Sequence, residues 1–542
     1  MEESEGVSRL LAEAGVDARR LRDALGLLSD GSWWTLADLV RVTATSRRGV
    51  EALLRELGPQ RSGDRFRLPP ARAAAYRGLR DPAGGLTDPV GHLLDRHPGA
   101  VERMAGLIAG APRGRQALDH VSATPGTVVR RALLLGARFW LPGARVLCVG
   151  DHDLTSLAVA RLHPEAEVTV VDIDERVLAY IAGRAAEEGL TVRTRWADLR
   201  LGLPPSVREQ ADLVITDPPY TPEGIGLFAA RAVEGLRDIE RGRVLLAYGA
   251  GERSPMLAHK VQAALHDLAL VTEAMYPDFN RYFGAEAIGS AADLYILRPT
   301  TRSRPAAAAR ADRFAAAIYT HGPSSVESRP TGAPAPRTGD DGFTPALLVG
   351  DWPKDTFPKT PRVRPAVWLA KPYASSPTHV AITVPPGLEP STPRLLLATR
   401  ADHVRLLLPA PLPTLGGPGT DPGDLWPELL SPTGPLAAVY EIKVTGTVVD
   451  AVRVPMPQDA AGRLVRGILD NAHGKLANTW REGLIRACDG LTKRQARAVV
   501  AEAAPWAEDV TPLELPAHRL DELPDAVAAS LRLGAVAREP AK

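Results

Sequence analysis

Cysteine is nearly absent from this chain of 542 residues: only Cys148 and Cys488 occur, far apart in sequence. That separation argues against a disulfide framework and fits a reducing cytoplasm. Long hydrophobic runs are lacking too, and none is long enough to cross a bilayer. The start, Met1-Glu2-Glu3-Ser4-Glu5, is acidic with no apolar stretch behind it, which argues against a secretory signal. A cytoplasmic protein with no membrane partner is expected. The 12 histidines follow no metal-ligand spacing, so no metal is expected. An excess of one charge is also missing. With 65 basic and 64 acidic residues the formal net charge is +1, and no global field draws the chain to nucleic acid. What remains is the composition of a globular protein, 45% hydrophobic and 24% charged, long enough for roughly three domains.

The pattern along the chain divides it. Residues 1–82 read as helices followed by a short hairpin at Arg61–Leu68, with Thr35 and Ser46 as helix caps. Two helices and a wing suggest a winged-helix domain. Arg47 and Arg48 then sit near the start of the second helix, where phosphate contact is one reading. A docking or dimerisation domain is the simpler one. Residues 86–300 alternate strands and helices, implying a doubly wound parallel sheet. Residues 301–342 read as an Ala-rich helix (306–318) and then a Pro/Gly/Ser linker from His321 to Gly342. Residues 343–542 read as an accessory α+β domain, with strands at Ala366–Ala370, His379–Val384, Arg394–Thr399, His403–Leu408, Val439–Val444 and Val448–Val454, and no chemical motif. If the linker is real, removal of residues 343–542 should leave residues 1–300 folded.

The acidic residues of the middle region recur where strands end, and open α/β sheets bind ligands at those ends. The first strand ends in Gly150-Asp151-His152-Asp153. Nucleotide folds usually place glycines there to approach a phosphate. Carboxylates in that position repel an anion and suit a cation, although Asp153 has capping the next helix as an alternative. Asp172 ends the second strand, where an acidic side chain accepts from ribose hydroxyls, while Asp174 and Glu175 suit the first turn of the next helix. Asp198 follows the third strand, within reach of an adenine amine. The fourth strand, Leu213–Thr216, leads into Asp217-Pro218-Pro219-Tyr220. There a carboxylate accepts an amine's hydrogens, prolines remove competing backbone donors, and a ring offers a face to a flat base or a cation.

Residues from about 118 to 297 resemble the branched-chain polyamine synthases, the N4-bis(aminopropyl)spermidine synthases. Gly150-Asp151-His152-Asp153-Leu154-Thr155 is similar to that family's Gly-Asp-Asp-Asp-Leu-Thr signature. Val171-Asp172-Ile173-Asp174-Glu175-Arg176 is similar to its Leu-Asp-Ile-Asp-Glu-Arg. Thr124–Arg131 resembles its segment leading into the first strand, and Asp278-Phe279-Asn280-Arg281-Tyr282 resembles its Asn-Phe-Asn-x-Tyr. The chain departs from the family at His152, which replaces the middle Asp, and at Tyr220, which stands where the family has Glu.

The resemblance implies a Rossmann-like sheet of the class I methyltransferase type, with a winged-helix-like domain before it. It implies aminopropyl transfer from decarboxylated S-adenosylmethionine to an amine of a polyamine, and a homodimer is expected. In this reading Asp217, Asp151 and Tyr220 are catalytic. Gly150, Asp151, Asp153, Asp172, Asp198 and Asp217 hold the co-substrate. Asp153, Pro218, Tyr220, Asn280 and Tyr282 hold the polyamine. A co-substrate without a carboxylate meets no anion–anion conflict at Asp151 and Asp153. Asp-Pro-Pro-Tyr also belongs to N-methyltransferases that use S-adenosylmethionine on an amino group, with nucleic acid among the acceptors, and this is the alternative. A third reading is a non-catalytic DNA-binding regulator.

Overall fold

A computed structural model describes residues 5–15, 18–76, 88–250, 254–310, 317–322, 324–327, 342–412 and 426–537. The boundary expected between residues 82 and 86 and most of the expected linker, residues 328–341, lie outside the described residues.

The N-terminal region holds α1 (Glu5–Ala14), α2 (Ala18–Leu28), β1 (Trp34–Thr35), α3 (Leu36–Thr43), α4 (Arg47–Leu57), β2 (Gln60–Ser62), β3 (Arg65–Arg67) and α5 (Pro70–Tyr76). Thr35 and Ser46 cap α3 and α4 by accepting from Asp38 N and Gly49 N. The strands form a small antiparallel sheet in the order β1-β3-β2. Leucines spaced for one face of each helix, among them Leu25, Leu28, Leu39, Leu53 and Leu57, close a separate core.

The middle region begins with α6 (Gly91–Leu94), α7 (Ala100–Gly110) and α8 (Pro125–Arg138). It then alternates β4 (Arg145–Val149), α9 (Thr155–Leu162), β5 (Glu167–Asp172), α10 (Glu175–Glu188), β6 (Val192–Trp196), β7 (Leu213–Thr216), α11 (Pro222–Gly235), β8 (Arg243–Tyr248), α12 (Pro255–Asp267), β9 (Leu270–Arg281), β10 (Ala291–Pro299) and α13 (Ser303–Arg310). The 7 strands lie in the order β6-β5-β4-β7-β8-β10-β9. Strands β4 to β8 are parallel, and β10 runs antiparallel between β8 and β9. Val146, Cys148 and Val168 pack under α8, α9 and α10 on one face, while Leu147, Val149 and Val214 meet α11 on the other. This is the expected Rossmann-like, methyltransferase-type sheet. Its order reverses beside β4, so the carboxyl ends of β4 and β7 splay apart there and open a crevice.

The C-terminal region holds β11 (Leu347–Val349), β12 (Arg362–Val363), α14 (Pro365–Ala370), β13 (His379–Thr383), α15 (Thr392–Leu397), β14 (His403–Leu407), α16 (Trp426–Leu429), β15 (Tyr440–Thr445), β16 (Val448–Arg453), α17 (Ala460–Asp470), α18 (Leu476–Ala487), α19 (Lys493–Ala503) and α20 (Ala517–Val536). The strands expected at Ala366–Ala370 and Arg394–Thr399 are instead helices α14 and α15, each with Pro in its first turn. Short apolar runs do not separate a strand from a buried helix, and Pro pre-sets the first helical turn. These helices are crossovers, so β12, β11, β13 and β14 are parallel and only β16 and β15 return antiparallel. The α+β expectation is corrected to a mixed α/β sheet.

The C-terminal domain is not a detachable appendage. Arg394 on α15 donates to Glu175 at 2.6 Å, and Glu175 also accepts from Ala517 N at 2.7 Å, at the start of α20. Arg394 lies over the Trp196 ring at 4.3 Å. Arg200 donates to Gly387 O at 2.7 Å, and Ser206 N donates to Glu514 at 3.4 Å. Glu175, Arg394 and Glu514 are all buried, so truncation at residue 343 strips buried charges of their partners. These buried contacts argue against residues 1–300 standing alone.

Candidate active site

The crevice is a cavity of ≈ 540 Å³ at the carboxyl ends of β4, β5, β6 and β7. Gly150 leaves β4 with φ +71°, and a Cβ there would stand 3.3 Å from the Phe228 ring. A residue free of side chain suits both demands. Leu154 turns with φ 63° and starts α9 without a side-chain cap. Asp153 is therefore not that helix's cap. Its carboxylate accepts from Ala123 N at 2.7 Å and from Arg131 at 2.8 Å.

Arg131 organises the site, and its role was not anticipated. It lies on α8, four residues after Thr127 and three after Val128, on the helix's buried face. Its guanidinium reaches Asn280 Oδ1 (2.8 Å), Asp153 (2.8 Å), Asp217 Oδ2 (2.5 Å) and the Tyr282 hydroxyl (3.2 Å). Burial works against its charge, but Asp217 foremost and then Asp153 hold it protonated well above the ordinary Arg range. Against the same cost of burial, Arg131 holds Asp153 below the usual carboxylate range. The readable signal was a charge set within an apolar helical face, Val128-Val129-Arg130-Arg131-Ala132-Leu133.

Asp217 follows β7 and faces the cavity. Tyr282 donates to its Oδ2 at 2.7 Å and Tyr220 to its Oδ1 at 3.0 Å, and the two hydroxyls lie 2.9 Å apart. Two phenolic hydrogens thus serve three oxygen–oxygen contacts, and one more proton would complete the triangle. Burial raises the Asp217 pKa, with Arg131 opposing it. Tyr220 also packs edge-on against Tyr248, ring centroids 5.5 Å apart, and Pro218 lines the wall beside it.

At the β5 end, Asp172 accepts one backbone N–H on each oxygen, from Asp174 N at 2.8 Å and Asp151 N at 2.9 Å. Each oxygen keeps a lone pair, the arrangement two adjacent hydroxyls need. Burial pushes Asp172 up to about 6 and Asp151 up to about 7; backbone N–H bonds offset part of each rise. His152 stacks on His120, centroids 4.4 Å apart, and burial followed by the His152 neighbour lowers His120 to about 3.

Two expected ligands are corrected. Asp198 lines the cavity, but Arg200 N, Nε and Nη2 and Ser391 Oγ all donate to its oxygens, at 3.0, 2.8, 2.7 and 3.3 Å. Four donors fill a carboxylate, so none of its capacity remains for an adenine amine. Asn280 is fully buried behind Arg131 and spends its amide on Ala292 O and Asp293 O, at 3.3 and 3.2 Å. It holds Arg131 through its Oδ1 and is not among the residues lining the cavity. Asp174 caps α10 by accepting from Arg176 N, as expected, whereas Glu175 serves the interdomain pair. Among the described residues no cluster of His, Cys, Asp or Glu is arranged to hold a metal ion. No described helix is long and apolar enough to cross a membrane.

The N-terminal domain supports the cavity's rim. Arg47, at the start of α4, pairs with Glu286 at 2.5 Å and Glu51 at 2.9 Å, and Arg20 pairs with Asp278 at 3.2 Å. Gly289, φ +79°, meets the Ala44 carbonyl so closely that a Cβ would lie 2.4 Å from it. Arg47 is thus engaged within its own chain, and the neighbouring Ala285 and Ile288 line the cavity.

Residues 100–303 match the family model described as the branched-chain polyamine synthase A C-terminal domain. An uncharacterised protein of Methanocaldococcus jannaschii is 39% identical over 173 residues, 32% of this chain and 43% of the relative. The N(4)-bis(aminopropyl)spermidine synthase of Thermococcus kodakarensis is 32% identical over 145 residues, 27% of this chain and 41% of that enzyme. The chain therefore spans less than half the length of these two relatives. The branched-chain polyamine synthase C9 mutein from Thermus thermophilus, solved with N4-aminopropylspermidine and 5′-methylthioadenosine, is 24% identical, with a TM-score of 0.40 over 55% of this chain and 93% of that one. Residues 100–303, which carry Arg131, Asp172, Asp217 and Tyr282, are thus the part of the chain that matches the branched-chain polyamine synthase family.

Proposed function

We propose that the chain transfers an aminopropyl group from decarboxylated S-adenosylmethionine to an amine of a polyamine. The observation that carries this reading is the incomplete proton triangle at Asp217, placed at the cavity where an attacking amine would deliver a proton. The sulfonium supplies a leaving group: its C–S bond breaks with the electron pair passing to sulfur, which leaves 5′-methylthioadenosine. The amine lone pair forms the new N–C bond, and its N–H proton passes to Asp217. Tyr220 and Tyr282 then each keep a hydrogen bond, and Arg131 keeps the carboxyl fixed. Positioning supplies much of the remaining acceleration.

Asp172, with one lone pair left on each oxygen, suits the ribose hydroxyls. The expected double-acid wall is reduced, because Arg131 neutralises Asp153, and Asp151 remains as the group that favours an ammonium tail over a carboxylate. Helix order and hairpin support reading the N-terminal domain as a winged helix, used here for docking. The N-methyltransferase reading retains Asp217 in the same place and differs in the co-substrate tail. Mass spectrometry of a reaction with decarboxylated S-adenosylmethionine and spermidine tests the proposal. A product heavier by one or two aminopropyl groups, released with equimolar 5′-methylthioadenosine, is expected. Methyl addition from S-adenosylmethionine instead, to any amine offered, would overturn it.

A further inference from the structure

The family match ends at residue 303, yet the cavity wall does not. The chain returns over the α/β domain at residues 317–322 and 324–327, where the end of an Ala-rich helix and the start of a linker were expected. Thr221 Oγ1 donates to Ile318 O at 2.6 Å, and Val326 N donates to Tyr319 O at 2.9 Å. Thr320 N and Oγ1 each donate to Asp119 at 2.6 Å, fastening this strap to the opposite lip. Tyr319 lines the cavity and is only 5% exposed. The guanidinium of Arg200 lies 5.8 Å from its ring centroid. Arg200 is itself held by Asp198, by Ser324 Oγ at 2.8 Å and by Gly387 O at 2.7 Å. Asp172, Asp198 and Asp119 all lie close enough to act electrostatically on the Tyr319 hydroxyl. The ring therefore lines the same cavity as Asp172, the carboxylate suited to ribose, and is flanked by the arginine that closes on Asp198. Asp198, with its oxygens filled, offers a purine nothing, whereas an immobilised aromatic face offers stacking.

We propose that Tyr319 is the platform on which the co-substrate's base stacks, and that the strap completes the nucleoside half of the cavity. This rests on the nucleoside reading above. Base–aromatic stacking of ordinary strength predicts a loss of about tenfold or more in nucleoside affinity when the ring is removed.

The test is calorimetry of the full chain with 5′-methylthioadenosine and, separately, with spermidine. Tyr319→Phe and Tyr319→Trp should bind the nucleoside within about threefold of the unmodified protein, and Tyr319→Leu should lose about tenfold or more. Spermidine affinity should be unchanged in all. Nucleoside affinity retained in Tyr319→Leu, or equal loss for both ligands, would overturn the platform and leave only a packing role. If Tyr319→Leu fails to fold, the Trp variant decides, since a tenfold loss there contradicts stacking. Failure of the unmodified protein to bind the nucleoside would instead overturn the nucleoside reading, and this inference with it.

Discussion

Asp217→Asn isolates the proton acceptor with little change of shape. The amide keeps one oxygen but exchanges an acceptor for a donor, so at least one of Arg131 Nη2, Tyr282 OH or Tyr220 OH is left facing an N–H. Removing one partner of a buried pair costs about 3–5 kcal/mol, and Asp153 retains part of that for Arg131, so a loss of about 1–3 kcal/mol of stability is expected. The catalytic effect is larger and separable. Without a group to take the amine's proton, single-turnover release of 5′-methylthioadenosine should slow by about 10²–10⁴-fold. Affinity for the nucleoside itself, proposed to bind at Asp172, should hold within about threefold, since lost general-base function need not cost binding. A folded Asp217→Asn protein turning over within about tenfold of the original would refute Asp217 as the acceptor, because the triangle would then be only structural.

Asp151 and Asp172 give the protein a pH signature. Both have pKa values raised by burial, to about 7 and about 6, so the folded state binds their protons more tightly than the unfolded state. The stability this contributes is fully present below about pH 4 and is lost as pH rises through 6 to 7. Asp151→Asn should flatten the upper part of that decline in a melting-temperature series; an unchanged slope would contradict the assignment. Affinity for decarboxylated S-adenosylmethionine relative to 5′-methylthioadenosine, which lacks the ammonium tail, should rise up to about pH 7 and level above it, and the rise should vanish in Asp151→Asn. Arg394→Met should destabilise the chain by about 3–5 kcal/mol by stranding Glu175, and adding Glu175→Gln should recover part of it. Additive losses in the double-mutant cycle would show that the two side chains do not act as a pair.

How much was readable in advance depended on how far each residue's partner lay. Asp172 and Asp217 could be expected at the cavity because open α/β sheets bind ligands at the carboxyl ends of their strands, and the parallel part of the sheet follows from strands alternating with helices. Asp198 misled because its competitor sits only two residues away: Arg200 closes back on it through three nitrogens. Arg131 went unassigned because its partners, Asp153, Asp217, Asn280 and Tyr282, converge from three segments that only the fold brings together. Glu175 looked like a helix-end residue because its partner Arg394 lies 219 positions on. Tyr319 fell between the expected Ala-rich helix and the expected linker, and it is the fold, with Thr320 clasped to Asp119, that brings it to the cavity.

The most direct test of the central claim is calorimetric titration of the full chain with S-adenosylmethionine and with its decarboxylated form, side by side. The account predicts tighter binding of the decarboxylated form, because Asp151 faces the tail and Arg131 is already committed to Asp153 and Asp217. Equal or tighter binding of the carboxylated form would contradict aminopropyl transfer and turn the Asp217–Tyr220 corner to methylation.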